Sequence, residues 1–156
     1  MKFAVGYQLA EPGESSFADV VRDYRDHVAE VYFAWGPMAS GRAALTHRRG
    51  YVDWDGQRRL EDDLAALREL GVKLNLLFNA NCHGGRAVSQ HLANEVASVV
   101  EHLGERVGGV EIVTTTSPAI AHVLQNQFPE IEVRASVNMR IGTIEQMHCV
   151  ADLFDS

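Results

Sequence analysis

Two hydrophobic rhythms alternate along this chain. Short apolar runs at residues 3–9, 28–33, 72–78, 109–114 and 131–137 have the length and β-branched content of strands. Each is followed by a polar turn and a stretch whose apolar residues recur three and four positions apart, the spacing of an amphipathic helix. Strand, turn and helix repeated five times predict βαβ units on a parallel sheet. A closed barrel of this kind has eight units. The expected fold is therefore α/β, a partial (β/α) TIM-type barrel of about five βα units, in a single domain over residues 1–156.

The helix boundaries are signalled locally. The first helix is expected over residues 16–27, with Ser16 as cap and Asp19 three residues on. The second spans 55–70, with Leu60, Leu64 and Leu67 as its buried stripe and Gly71 as its stop. The third spans 89–103, with Leu92, Val96, Val99 and Leu103 on one face and Gly104 or Gly108-Gly109 at its exit. Ser117-Pro118 opens the fourth, which buries Ile120, Val123 and Leu124 and ends before Pro129. Thr143 and Gln146 make a capping box for a fifth helix carrying Ile144, Met147, Val150 and Phe154.

One connection breaks the economy of the layout. Residues 36–52 separate the second strand from its helix, where most such loops have about 2–6 residues. This stretch holds Arg42, His47, Arg48 and Arg49 and no acid before Asp53. It reads either as a cationic patch at the ligand-binding end of the sheet or as a solvated surface loop.

In parallel α/β folds ligands bind beyond the carboxyl ends of the strands. The residues expected there are Gln8 and Glu11 after the first strand, and Tyr32 and Trp35 at the second. Asn79, Asn81, Cys82 and His83 follow the third, and Thr116 follows the fourth. Arg134, Ser136, Asn138 and Arg140 lie on or after the fifth. These groups position a substrate by hydrogen bonds, and only a few can do acid–base work. Cys82 beside His83 invites a thiolate–imidazole reading, against which stands a plain loop cysteine next to a surface histidine. Gly84-Gly85-Arg86 before the third helix reads as an anion cradle or as a simple turn. Arg134, Ser136, Asn138 and Arg140 alternate, so on a strand they share one face, with Val133, Ala135, Val137 and Met139 packed under the helices on the other. Such a polar row needs a ligand or internal partners, and Glu11 and Glu111 are the acids considered for that pairing.

Composition narrows the classes. Hydrophobic residues are 46% and charged residues 22%, ordinary for a globular chain, and the net charge of −7 leaves no overall basic footprint for nucleic acid. Cys82 and Cys149 form no CxxC pair, which argues for a reducing compartment and against a disulfide scaffold or a self-contained zinc or iron–sulfur site. The other histidines (His27, His91, His102, His122, His148) show no ligand spacing, so no metal and no cofactor is expected. Met1-Lys2 leads straight into a strand and no apolar run approaches a membrane span, so a cytoplasmic protein is expected.

Four segments together resemble a known family: residues 32–42 (YFAWGPMASGR), 76–84 (LLFNANCHG), 114–118 (TTTSP) and 133–142 (VRASVNMRIG). They are similar, in the same order, to the collagenase-like peptidases of unknown catalytic type, family U32. The resemblance implies an eight-unit barrel or a close variant, of which these residues supply the N-terminal portion, and a hydrolase acting on peptides. The cysteine-rich stretch that marks the family lies further downstream and has no counterpart here. In some relatives downstream cysteines hold an iron–sulfur cluster used to hydroxylate RNA or quinone precursors, and neither Cys82 nor Cys149 matches them in spacing. No catalytic residue carries over to a numbered position. Three expectations stand beside one another: a peptidase-type domain for a peptide or other small polar substrate, a non-catalytic partial barrel that forms a homo-oligomer through its open sheet edges, and a part of an RNA- or cofactor-modifying enzyme using residues 42–49.

Overall fold

A computed structural model describes residues 1–11, 13–36, 38–41 and 53–156. Five strands, β1 (Phe3–Gly6), β2 (Val28–Ala34), β3 (Lys73–Phe78), β4 (Ile112–Thr115) and β5 (Glu132–Ala135), alternate with five helices, α1 (Phe17–Asp23), α2 (Trp54–Glu69), α3 (Gln90–Val107), α4 (Pro118–Gln127) and α5 (Ile144–Val150). They form one open sheet in the order β1-β2-β3-β4-β5, every neighbouring pair parallel. Sequential order with no switch point is the arrangement of a barrel wall; a doubly wound sheet reverses its order partway. The molecule is thus a partial TIM-type barrel, as its periodicity predicts.

The two faces of the sheet differ in chemistry. Val31, Phe33, Leu74, Leu76, Phe78, Val113 and Val133 point under the helices and join Leu60, Leu64, Leu67, Val96, Leu103 and Leu124 in the core. The alternate positions, Glu30, Tyr32, Asn75, Leu77, Thr114, Glu132 and Arg134, form the concave face that a barrel turns inward. Side-chain caps hold the helix starts: Ser16 accepts from Asp19 N–H, Ser117 from Ile120 N–H, and Thr143 and Gln146 complete the capping box. Gly108, in the left-handed conformation at φ 87°, ends α3, the second of the two exits that the sequence offers. Along α3 the buried stripe is Leu92, Val96, Val100, Leu103 and Val107, with Val99 on its margin.

Three expectations fail at the β5 end. The strand stops at Ala135, and Val137–Met139 turns as a 3₁₀ helix capped by Ser136, whose oxygen accepts from Asn138 N–H. A local side-chain cap has displaced the sheet ladder there. Arg134, Ser136, Asn138 and Arg140 therefore do not share one strand face, and Val137 is 91% exposed rather than packed under a helix. Arg140 closes the turn at φ 54°. Helix α5 buries none of its residues: Ile144 and Met147 are exposed. Beyond it the chain turns back, Leu153 and Phe154 rest on the core, and the last two residues run along β5. Asp155 N–H donates to Val133 O at 2.8 Å and Ala135 N–H to Ser156 O at 2.7 Å. Among the described residues these two pair along the outer side of β5, and α5 rests on no strand there.

Candidate functional site

A polar network crosses the concave face from β2 to β5. Asn75 Nδ2 donates to Glu30 Oε1 at 2.7 Å, and Thr114 Oγ1 donates to Asn75 Oδ1 at 2.9 Å. Arg134 donates from Nη1 to Glu30 Oε2 at 2.7 Å and from Nε to Glu132 Oε1 at 2.7 Å. Ser156 Oγ also donates to Glu132. Glu30 is 8% and Asn75 5% exposed, so neither tolerates being left unpaired. Hydrogen bonds from Arg134 chiefly, and from Ser156, hold the Glu132 carboxyl below the usual glutamate range. Bonds to Glu132 and Glu30 outweigh partial burial and raise the Arg134 guanidinium above its ordinary value. The pairing expected with Glu11 or Glu111 is not formed. Glu111 binds Arg68, and Glu11 lies in an exposed turn whose N–H bonds Glu14. Arg134 reaches Glu30 instead because both lie on the concave face, which the sequence separation hides.

Above this network lies a cavity of about 260 Å³, lined by Tyr32, Leu77, Asn79, Arg134, Ser136 and Val137 among others. Asn79 ties its rim together. Its Oδ1 accepts from Ser40 Oγ at 2.9 Å and from Gly41 N–H at 2.8 Å, and its carbonyl accepts from Asn138 Nδ2 at 3.1 Å. Three strand-end segments, after β2, β3 and β5, thus meet at one residue, Asn79. A Cβ on Gly41 would stand 3.1 Å from Asn138 Nδ2, so glycine permits the approach. Thr116 Oγ1 bonds Ala80 O and fixes the β4 end to the same rim.

Of the sequence-derived candidates, Tyr32, Asn79, Arg134 and Ser136 line the cavity, and Asn138 and Thr116 brace its rim. Trp35 does not: it points under the helices, where its ring lies 5.5 Å from that of His102. The odd-numbered residues of this strand face the core, and Trp35 continues that register. Gln8, Asn81 and Arg140 are exposed outside the cavity lining. Arg42, with His47, Arg48 and Arg49, lies outside the described residues. Cys82 is exposed, and its Sγ accepts from Gly84 N–H at 3.2 Å instead of engaging His83. Burial, with Arg86 nearby, lowers the His83 pKa, and its Nε2 has no partner among the described residues. Gly84–Arg86 forms a 3₁₀ turn. Glu30, Asn75 and Glu132 escape the strand-end reading of the sequence; the available signal is a lone charge or amide inside an otherwise apolar strand.

A second polar cluster, between α2 and α3, is remote from the cavity. Glu61 accepts from Gln57, His102 and Arg106. Burial, the largest single influence, pushes its carboxyl up, but the three donors together hold it below the usual range. Among the described residues no group of His, Cys, Asp and Glu is placed to hold a metal ion, and no helix is long and apolar enough to cross a membrane.

An open parallel wall with a polar concave face defines the class, a portion of a (β/α) barrel with its candidate site at the strand ends. Among solved structures the chain is similar to the U32 peptidase Mk0906, with a TM-score of 0.66 and 15% identity over 99% of this chain and 56% of that one. It is also similar to dihydroorotase (PyrC) from Campylobacter jejuni, with a TM-score of 0.50 and 11% identity over 95% of this chain and 39% of that one. The chain thus spans 56% of the length of the peptidase. At these identities the likeness is one of fold, and it agrees with a U32-like N-terminal portion. No family model matches the sequence, and no curated protein does.

Proposed function

We propose that this chain is the peptide-binding portion of a peptidase-type barrel, holding its substrate in the cavity at the ends of β3, β4 and β5. The observation that carries the reading is the convergence of Asn79, Arg134 and Ser136 on one concavity beside apolar Leu77 and Val137. Amide and guanidinium donors next to an apolar wall suit a polypeptide, which offers carbonyl acceptors and side chains in alternation. The U32 peptidase fold supports the same class. Among the described residues Cys82 and His83 make no nucleophile–base pair, so binding is assigned to this chain and the cleaving group is not. The test is fluorescence anisotropy with a labelled gelatin-derived peptide. Binding is expected, weakened about tenfold or more by Asn79→Ala in a protein of unchanged circular dichroism. A folded chain that binds no peptide refutes the assignment.

A second reading, self-association, rests on where exposed apolar side chains fall. Phe3, Val20 and Tyr24 gather by β1 and α1, and Val137, Ile144 and Met147 by β5 and α5. A groove of about 560 Å³ lies between β5 and α5. Two copies that cover these ends form a dimer, expected in sedimentation equilibrium at micromolar concentration and dissociated by Met147→Glu. A wild-type monomer under those conditions contradicts it.

A further inference from the structure

The geometry points to an apolar subsite for the bound peptide in the groove between β5 and α5, reached from the cavity over the turn at Val137. This deepens the peptide-binding reading and rests on it. The groove goes to an aliphatic or aromatic side chain of the peptide, not to a second copy of the chain.

The two concavities share a wall. Ala135, Ser136 and Val137 line the cavity on the concave face, and the same three residues line the groove. They lie where β5 ends and the 3₁₀ turn Val137–Met139 begins. The bend lets one short segment border both spaces. Val137 is 91% exposed, so no side chain among the described residues covers the ridge between them. The ridge is also fixed in place. Ser136 Oγ accepts from Asn138 N–H, and Asn138 Nδ2 donates to Asn79 O across the rim. A wall held in this way needs little ordering when a ligand arrives.

Size and chemistry then divide the ligand between them. Ligand sites typically measure about 300–1,000 Å³. The cavity, at about 260 Å³, falls below that range, and the groove, at about 560 Å³, falls within it. Asn79, Arg134 and Ser136 give the cavity polar groups for a main chain. Ile141, Met147, Val150 and Phe154 give the groove side chains with almost no hydrogen-bonding capacity, where buried carbon is what gains. Met147 is 55% exposed, and its unbranched thioether adapts to side chains of different shape. A peptide crossing Val137 meets both needs, its main chain in the cavity and one apolar side chain in the groove. A second copy fits less well. The large apolar side chains exposed at this end, among the described residues, are Val137, Ile144 and Met147. A stable interface covers about 800 Å² on each partner, and three side chains around a hollow fall short of that while sufficing to wrap one inserted group.

The experiment is calorimetric titration of the full chain with gelatin-derived peptides of one length that place a single leucine, against alanine, at each position in turn. At one position leucine is expected to tighten binding about tenfold over alanine, and elsewhere by less than about twofold. The chain carries four methionines. With their methyl groups ¹³C-labelled, the Met147 signal should shift with the tight-binding leucine peptide and not with its alanine parent. Met147→Asp should cut the leucine gain to about twofold or less. A scan that is flat at every position overturns this inference and leaves peptide binding intact. So does a gain with the Met147 signal unmoved, which puts the apolar contact elsewhere. So does a gain that fades as protein concentration is raised, which gives the groove to a second copy. A folded chain that binds none of the peptides overturns both readings. The methyl spectra use the unaltered protein, so a variant that fails to fold does not weaken the test.

Discussion

Glu30 sits in the middle of an apolar strand and is almost wholly buried, and Arg134 and Asn75 are the groups that bond its carboxyl oxygens. Breaking that pair from the Arg134 side, with Arg134→Gln, leaves a buried carboxylate without its cation. Partial exposure of Arg134 puts the expected loss at the low end of the range for buried pairs, about 3 kcal/mol, measurable by urea denaturation. Cys82→Ser, by contrast, alters an exposed side chain whose one hydrogen bond among the described residues is from a backbone N–H, and stability should change by less than about 0.5 kcal/mol. Acid should act through Glu61 and Glu132, whose carboxyls lie below their ordinary value of 4.5 in the folded state. A lowered folded pKa means stability that is present above 4.5 and lost as pH falls through the folded values. His83, whose folded pKa lies below 6.5, adds a loss that begins as pH falls through 6.5; the carboxylate limb of the melting temperature should set in below about pH 4.5, and Glu61→Gln should flatten that limb. An unchanged acid limb in Glu61→Gln would contradict the assignment.

At the scale of elements, caps and periodicity carry the fold. Ser16, Ser117 and Thr143 each cap a helix that the sequence marks, and Leu60, Leu64 and Leu67 are fully buried as their spacing requires. Sequence legibility ends where a pattern outlasts the structure that uses it. The alternation through residues 131–137 runs past Ala135, but the Ser136 cap is a local competitor that a period-two count does not register. The apolar stripe of α5 is real in sequence, yet a helix buries its stripe only where a second element supplies a floor. Trp35 shows the same limit, since strand-end position does not by itself tell which face a side chain takes. Partners far apart in sequence, Glu30 with Arg134 above all, become visible only in the fold. These differences set two stability expectations. Leu103→Ala, in the packed face of α3, should cost about 2–5 kcal/mol. Ile144→Ser in exposed α5 should cost under about 1 kcal/mol in the monomer. A comparable loss at both positions in denaturant titrations would mean that α5 is packed as firmly as α3.

For the molecule as a whole, a parallel wall turns one face to its helices and the other to a polar concavity. The binding reading depends on that concavity acting as a site, beyond its service as the interior of a fold. The most direct measurement is a two-dimensional ¹H–¹⁵N correlation spectrum of the chain titrated with the gelatin-derived peptide. The account predicts concentration-dependent shifts concentrated at the amides of Asn79, Thr114, Ser136 and Asn138, which adjoin the cavity and its rim, with the Glu61–His102 cluster unmoved. Shifts confined to α5 or to the α2–α3 face, or none at saturating peptide, would contradict it.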